Sequence, residues 1–64
     1  MTPEDARTRM HKAVMVIGGD YTYTGELVAV FTKQPTRRGN DPVWRCVVQD
    51  DHGRLFIHRL EQLA

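Results

Sequence analysis

Apolar positions gather into three blocks, separated by breaks rich in glycine, proline or aspartate. The first block, Ala13-Val14-Met15-Val16-Ile17, has strand length and stops at the flexible bend Gly18-Gly19-Asp20. The second follows Tyr21-Thr22-Tyr23-Thr24-Gly25 and runs from Glu26 to Lys33. Period-two alternation predicts Leu27, Ala29 and Phe31 on one face and Val28, Val30 and Thr32 on the other. Both faces are largely apolar, whereas a half-exposed antiparallel strand alternates apolar with polar. A small single-layer protein cannot bury both, so the pattern implies cover from another subunit.

The third block is a hairpin. Its first arm is Val43-Trp44-Arg45-Cys46-Val47-Val48-Gln49-Asp50, its turn Asp51-His52-Gly53, and its return arm Arg54-Leu55-Phe56-Ile57-His58. Trp44, Cys46 and Val48 share one face of the first arm, opposite Val43, Arg45, Val47 and Gln49. On the return arm Leu55 and Ile57 oppose Arg54, Phe56 and His58. Leu55 and Ile57 read as structural, and Phe56 and His58 as facing whatever the protein meets.

The flanks complete the pattern. Thr2-Pro3-Glu4-Asp5 carries helix-start signals: a threonine cap, a proline suited to the first turn, and acids that complement the helix dipole. Residues 1–12 are therefore a short helix or a frayed tail. Gln34 to Pro42 is a polar loop containing Arg37-Arg38. Leu60 and Leu63, three apart, suit a 3₁₀ turn that plugs the end of a sheet. Residues 13–64 thus predict four to five short antiparallel strands in an all-β, SH3-like barrel, with a short N-terminal helix or tail and a C-terminal 3₁₀ turn. An OB-fold normally needs a longer chain.

Length sharpens the need for outside cover. Sixty-four residues make one small domain, which buries only about 60% of its unfolded surface. Cys46 is the only cysteine, which excludes an intrachain disulfide and suits a reducing, cytoplasmic setting. Association into a dimer or tetramer is the remaining route to burial. A net charge of +1 implies no strong attraction to nucleic acid or anionic lipid. No apolar run is long enough to span a membrane, and the N-terminus lacks the order of a signal peptide.

Candidate chemistry is sparse. His11, His52, His58 and Cys46 show no metal-ligand spacing, so no metal site is expected. No catalytic triad or dyad is identifiable, and Cys46 lies mid-strand in an apolar context. Asp50 and Asp51 read as turn formers, and Gly18-Gly19 leads into no helix that would make a phosphate loop. Tyr21, Tyr23, Lys33, Arg37, Arg38, Trp44 and Arg45 mix aromatic with basic residues, as a nucleic-acid surface would. Arg37, Arg38 and Arg45 are its candidate phosphate contacts.

Two stretches carry a family resemblance. Tyr23-Thr24-Gly25-Glu26-Leu27-Val28-Ala29-Val30-Phe31, and Arg54-Leu55-Phe56-Ile57-His58 followed by Leu60-Glu61-Gln62-Leu63, resemble the type II, plasmid-borne, trimethoprim-insensitive dihydrofolate reductases. The same pattern resembles short phage and prophage proteins, the nearer relatives. The likeness spans roughly residues 13–63 as a pattern rather than a close match. It implies a homo-oligomer of SH3-like barrels whose ligand site is built from the Leu55–His58 arm. In the reductases four barrels surround a pore that binds folate and NADPH. The family's pore glutamine falls at Phe56 and its pore tyrosine at His58; only Ile57 matches, and no lysine stands near Ile17 or Gly18. Phe56 supplies neither the polar contact nor the charge an anionic cofactor needs.

The combined expectation is a non-enzymatic, cytoplasmic, self-associating module of phage or mobile-element origin. Phe56, Ile57, His58, Arg54 and Arg59 form its interface or ligand site, with a nucleotide-like molecule held between subunits. The alternatives are a divergent reductase using NADPH and a nucleic-acid-binding accessory module. The leading reading assigns no catalytic residue, cofactor or metal.

Overall fold

The computed structural model describes residues 1–33 and 43–64. Helix α1 spans Pro3–Thr8, and the Thr2 hydroxyl caps it by accepting from the Asp5 amide at 3.2 Å. This short, polar helix gains its order from packing: Ala6 is fully buried against the sheet. His11, at φ 64°, then turns the chain into β1.

Four strands follow: β1 (Ala13–Ile17), β2 (Thr22–Lys33), β3 (Val43–Gln49) and β4 (Leu55–Arg59). They form one antiparallel sheet in the order β1-β2-β3-β4, and a 3₁₀ turn covers Leu60–Gln62. Strand β2 serves two neighbours. Its first half pairs with β1 (Val16 opposite Tyr23) and its second half with β3 (Leu27 opposite Val48, Lys33 opposite Val43). The sheet curls until its ends meet, through a Val16–Leu63 bridge and an Ala64 amide that donates to the Met15 carbonyl at 3.0 Å. The result is the small barrel-like all-β fold expected from the sequence.

Gly25 permits the curl. A Cβ there would lie 2.6 Å from both the Gln49 carbonyl oxygen and Val48 Cγ1, so β2 crosses β3 where no side chain fits. Beyond this crossing the first half of β2 swings toward β4.

Val14, Val16, Leu27, Cys46, Val48, Leu60 and Leu63 form the core with Ala6. Leu60 and Leu63 plug it as their spacing predicts. None of the five aromatic residues is fully buried.

Two predicted facings are corrected. Leu27, Ala29 and Phe31 do not share a face, because the pairing slips between Leu27 and Ala29. The extra residue, Val28, makes a β-bulge. Leu27 and Val30 consequently meet the core, while Ala29 and Phe31 pair with Val47 and Arg45 on the outer face. Leu55 and Ile57, read as structural, are 61% and 62% exposed. Phe56 lies opposite Val48 and His58 opposite Cys46, so these two share the inner face and Leu55 and Ile57 are turned outward.

Candidate functional site

The Asp50 carboxylate builds one wall of a cleft on the inner side. Oδ1 accepts from the amides of His52 (3.0 Å) and Arg54 (2.8 Å), and Oδ2 accepts from Arg54 Nε (2.8 Å). Gly53, at φ 83°, completes the turn in a conformation glycine adopts without strain. Partial desolvation works to raise the Asp50 pKa. The hydrogen bonds from the Arg54 backbone and side chain and the His52 amide, with the Arg54 charge, outweigh it and hold the carboxyl below its usual range. The turn thereby fixes Arg54, whose guanidinium lies 5.8 Å from the centroid of the Phe56 ring.

The opposite wall comes from the start of β2. Gly18 allows the Tyr21 ring to lie directly over the β1–β2 bend, because a Cβ at Gly18 would occupy the ring's own space. Tyr21 and Tyr23 are stacked at 6.3 Å between centroids. Tyr23 meets Phe56 edge-on at 6.0 Å, and His58 packs beside both tyrosines. The cleft they enclose has a volume of about 620 Å³, with Thr24, Asp51 and His52 at its rim. Such a volume lies in the usual range of small-molecule pockets.

A chain of hydrogen bonds ties the rings together. Gln62 Oε1 accepts from the Arg59 amide at 3.0 Å, so its amino group is the one that donates to the Tyr21 hydroxyl, at 3.3 Å. Tyr21 Oη lies 3.4 Å from His58 Nδ1, and Tyr23 Oη lies 2.6 Å from His58 Nε2. Desolvation lowers the His58 pKa, which favours the neutral ring. The Tyr23 pKa is raised, first by desolvation and then by the nearby Tyr21, Asp50 and Cys46. Cys46 is buried beneath and donates to the His58 carbonyl at 3.6 Å; desolvation pushes its thiol pKa up against that bond.

The sequence-predicted residues divide between two surfaces. Phe56, His58 and Arg54 line the cleft. Ile57 is on the outer face, with Val47 and Ala29 in one cross-strand row. Arg45 and Arg59 pair on that same face and border a separate depression of about 480 Å³ beside Trp44 and Met1. Arg37 and Arg38 lie outside the described residues. Of the described members of the proposed nucleic-acid set, Tyr21 and Tyr23 lie in the cleft, and Trp44 and Arg45 do not. Asp50 and Asp51 form the turn as read, and both also line the cleft, which the sequence reading missed. A signal was present. A turn at residues 51–53 sets Asp50 against Arg54, hence Val48 against Phe56, so Asp50 and Phe56 fall on one face.

Among the described residues no three His, Cys, Asp or Glu side chains are grouped to hold a metal ion. No helix there is long and apolar enough to cross a membrane. Compared with protein-family models, curated proteins and solved structures, the chain matches none.

Proposed function

We propose that the protein is a non-catalytic binding module that self-associates through the outer face of its sheet and takes a ligand in the aromatic cleft. One observation carries this reading. The core is aliphatic apart from Cys46, while Tyr21, Tyr23, Phe56 and the His58 ring are spent on an open cleft. Aromatic side chains offer the largest burial gain available to so small a domain. Leaving them at an open cleft is best explained by a ligand that covers them.

The outer face supports the self-associating part. Leu55, Ile57, Phe31 and Val43 are exposed around the partly buried Val47. Arg45 and Arg59 share one cross-strand row of this face with Phe31, between Val43 and the Val47 row, and Glu26 lies two rows away. A two-fold partner would set each arginine pair against the opposing Glu26. Arg45 Nε is buried and finds no acceptor among the described residues.

Sedimentation equilibrium from micromolar to millimolar protein tests the reading. A reversible dimer or tetramer is expected. A monomer throughout that range would refute self-association. The binding part is tested by whether any ligand shifts the amide resonances of the cleft.

A further inference from the structure

Proton counting in the ring network shows what the cleft offers a ligand. A neutral imidazole brings one N–H and one acceptor nitrogen. The two tyrosine–histidine contacts use two protons, yet Tyr21, Tyr23 and His58 supply three. Either tautomer therefore leaves one tyrosine hydroxyl with an unused O–H. Gln62 cannot take it, because its amino group already faces Tyr21 and its oxygen faces Arg59. Both hydroxyls belong to residues that line the cleft, so the ring network beside it carries one hydrogen-bond donor more than it uses.

Charge narrows the choice further. Two carboxylates, Asp50 and Asp51, border the cleft against the single guanidinium of Arg54. Arg54 donates through Nε to Asp50 at 2.8 Å and lies over Phe56, so the two charges offset each other and Asp51 is left as the unbalanced charge at the rim. The Asp51 side chain is 87% exposed, with only the His52 ring 3.6 Å away. A nucleotide reaching the exposed Arg54 amino groups would bring its phosphate beside both Asp50 and Asp51. A cationic ligand meets no such repulsion.

Extension is the third constraint. The Tyr21–Tyr23 and Tyr23–Phe56 centroid steps, 6.3 and 6.0 Å, make an aromatic floor rather than a single stacking slot. A polyproline II segment rises about 3.1 Å per residue, so about four residues cover such a floor. Its pyrrolidine rings pack on aromatic faces, its carbonyls have no internal partner and accept from a tyrosine hydroxyl, and its preformed conformation lowers the entropy cost of binding.

Resting on the binding-module reading above, we propose that the cleft takes a proline-rich peptide in the polyproline II conformation, with a flanking lysine or arginine at Asp51. The test is a titration of the ¹⁵N-labelled full chain with a terminally blocked decapeptide of Pro-x-x-Pro spacing and one flanking arginine. Saturable shifts at Tyr21, Asp51, Phe56 and His58 are expected. Replacing the peptide's prolines by alanine should abolish them. Asp51→Asn should weaken binding about three- to fivefold, the scale of one exposed ion pair. Replacing the peptide's arginine by glutamate should weaken it further, and this arm stands even if the Asp51 variant misfolds. Equal binding by the alanine peptide, or no saturable shift at millimolar peptide, overturns the proposal. Parallel titrations with adenosine and AMP separate the two readings. If either shifts the cleft and the peptide does not, the peptide proposal falls and the binding module stands. If no probe shifts the cleft, both fall.

Discussion

Replacing Ile57 by serine removes the most exposed large apolar side chain of the outer face, where it is 62% uncovered in the single chain. Complete burial of such a side chain is worth ~1.5–3 kcal/mol, so covering the remaining three-fifths is worth roughly 1–2 kcal/mol. A two-fold interface contains the residue twice, which gives about 2–4 kcal/mol, or roughly a 30- to 700-fold rise in the dimer dissociation constant. The fold itself should barely respond, since Ile57 contributes little to the core; a change within about 1 kcal/mol in urea unfolding of the dilute monomer is expected. Sedimentation equilibrium supplies the association constant and circular dichroism the unfolding curve. A folded Ile57→Ser variant that associates as tightly as the wild type would refute the outer-face interface. Loss of folding would show instead that Ile57 is covered within its own subunit.

Three further outcomes follow from other parts of the molecule. Gly25→Ala forces a Cβ to within 2.6 Å of a backbone oxygen, so the β2–β3 crossing must open; overpacking of this kind costs ~1–3 kcal/mol, and a thermal melt should fall by roughly 4–20 °C. An unchanged melt would deny the close approach. Phe56→Ala should leave a folded chain that has lost cleft binding, at about 1–2 kcal/mol in urea unfolding rather than the ~3–5 kcal/mol of a buried phenylalanine, because Phe56 already borders solvent. Desolvation lowers the His58 pKa, so on acidification the unfolded chain binds this proton first. The contribution of His58 to stability is complete above an ordinary histidine pKa of about 6.5 and is lost as pH falls through its own lower value. The urea midpoint should decline on that side of neutrality, less so in His58→Gln, and NMR titration should place His58 below the ordinary histidine value.

Much of the architecture was legible because local chemistry and tertiary packing agree. Thr2 caps a real helix, Gly18-Gly19-Asp20 is a real bend, and Leu60 and Leu63 close the core as their spacing implies. The facing of β2 was not legible. Leu27-Val28-Ala29-Val30 is apolar throughout, so an inserted residue leaves no break in the pattern, and alternation carried across the bulge inverts everything beyond it. On β4 the error had another origin. Hydrophobicity alone places Leu55 and Ile57 inside, whereas register, set by the turn, places Phe56 and His58 there. The cleft was legible in part. Its rings are all present in the sequence, but a grouping by aromatic and basic type sets Tyr21 and Tyr23 with Arg45, which the fold keeps elsewhere. Their meeting with β4 depends on the Gly25 crossing, a close backbone approach with no periodic signature.

The multiple bonds of Asp50 make it a determinant of the cleft's charge as well as a turn former. Its carboxylate neutralises Arg54 and sets the sign of the cleft rim. Asparagine there keeps a side-chain carbonyl for the turn amides while removing the charge, and leaves Asp51 alone to balance a guanidinium no longer held by a salt bridge. One substitution at a hairpin turn would therefore bring the charge of the cleft rim from net negative to balance, without altering any ring that forms its floor. In the proposed binding module, specificity would then be separable from shape: the rings would set what fits the floor, and the turn what charge it brings.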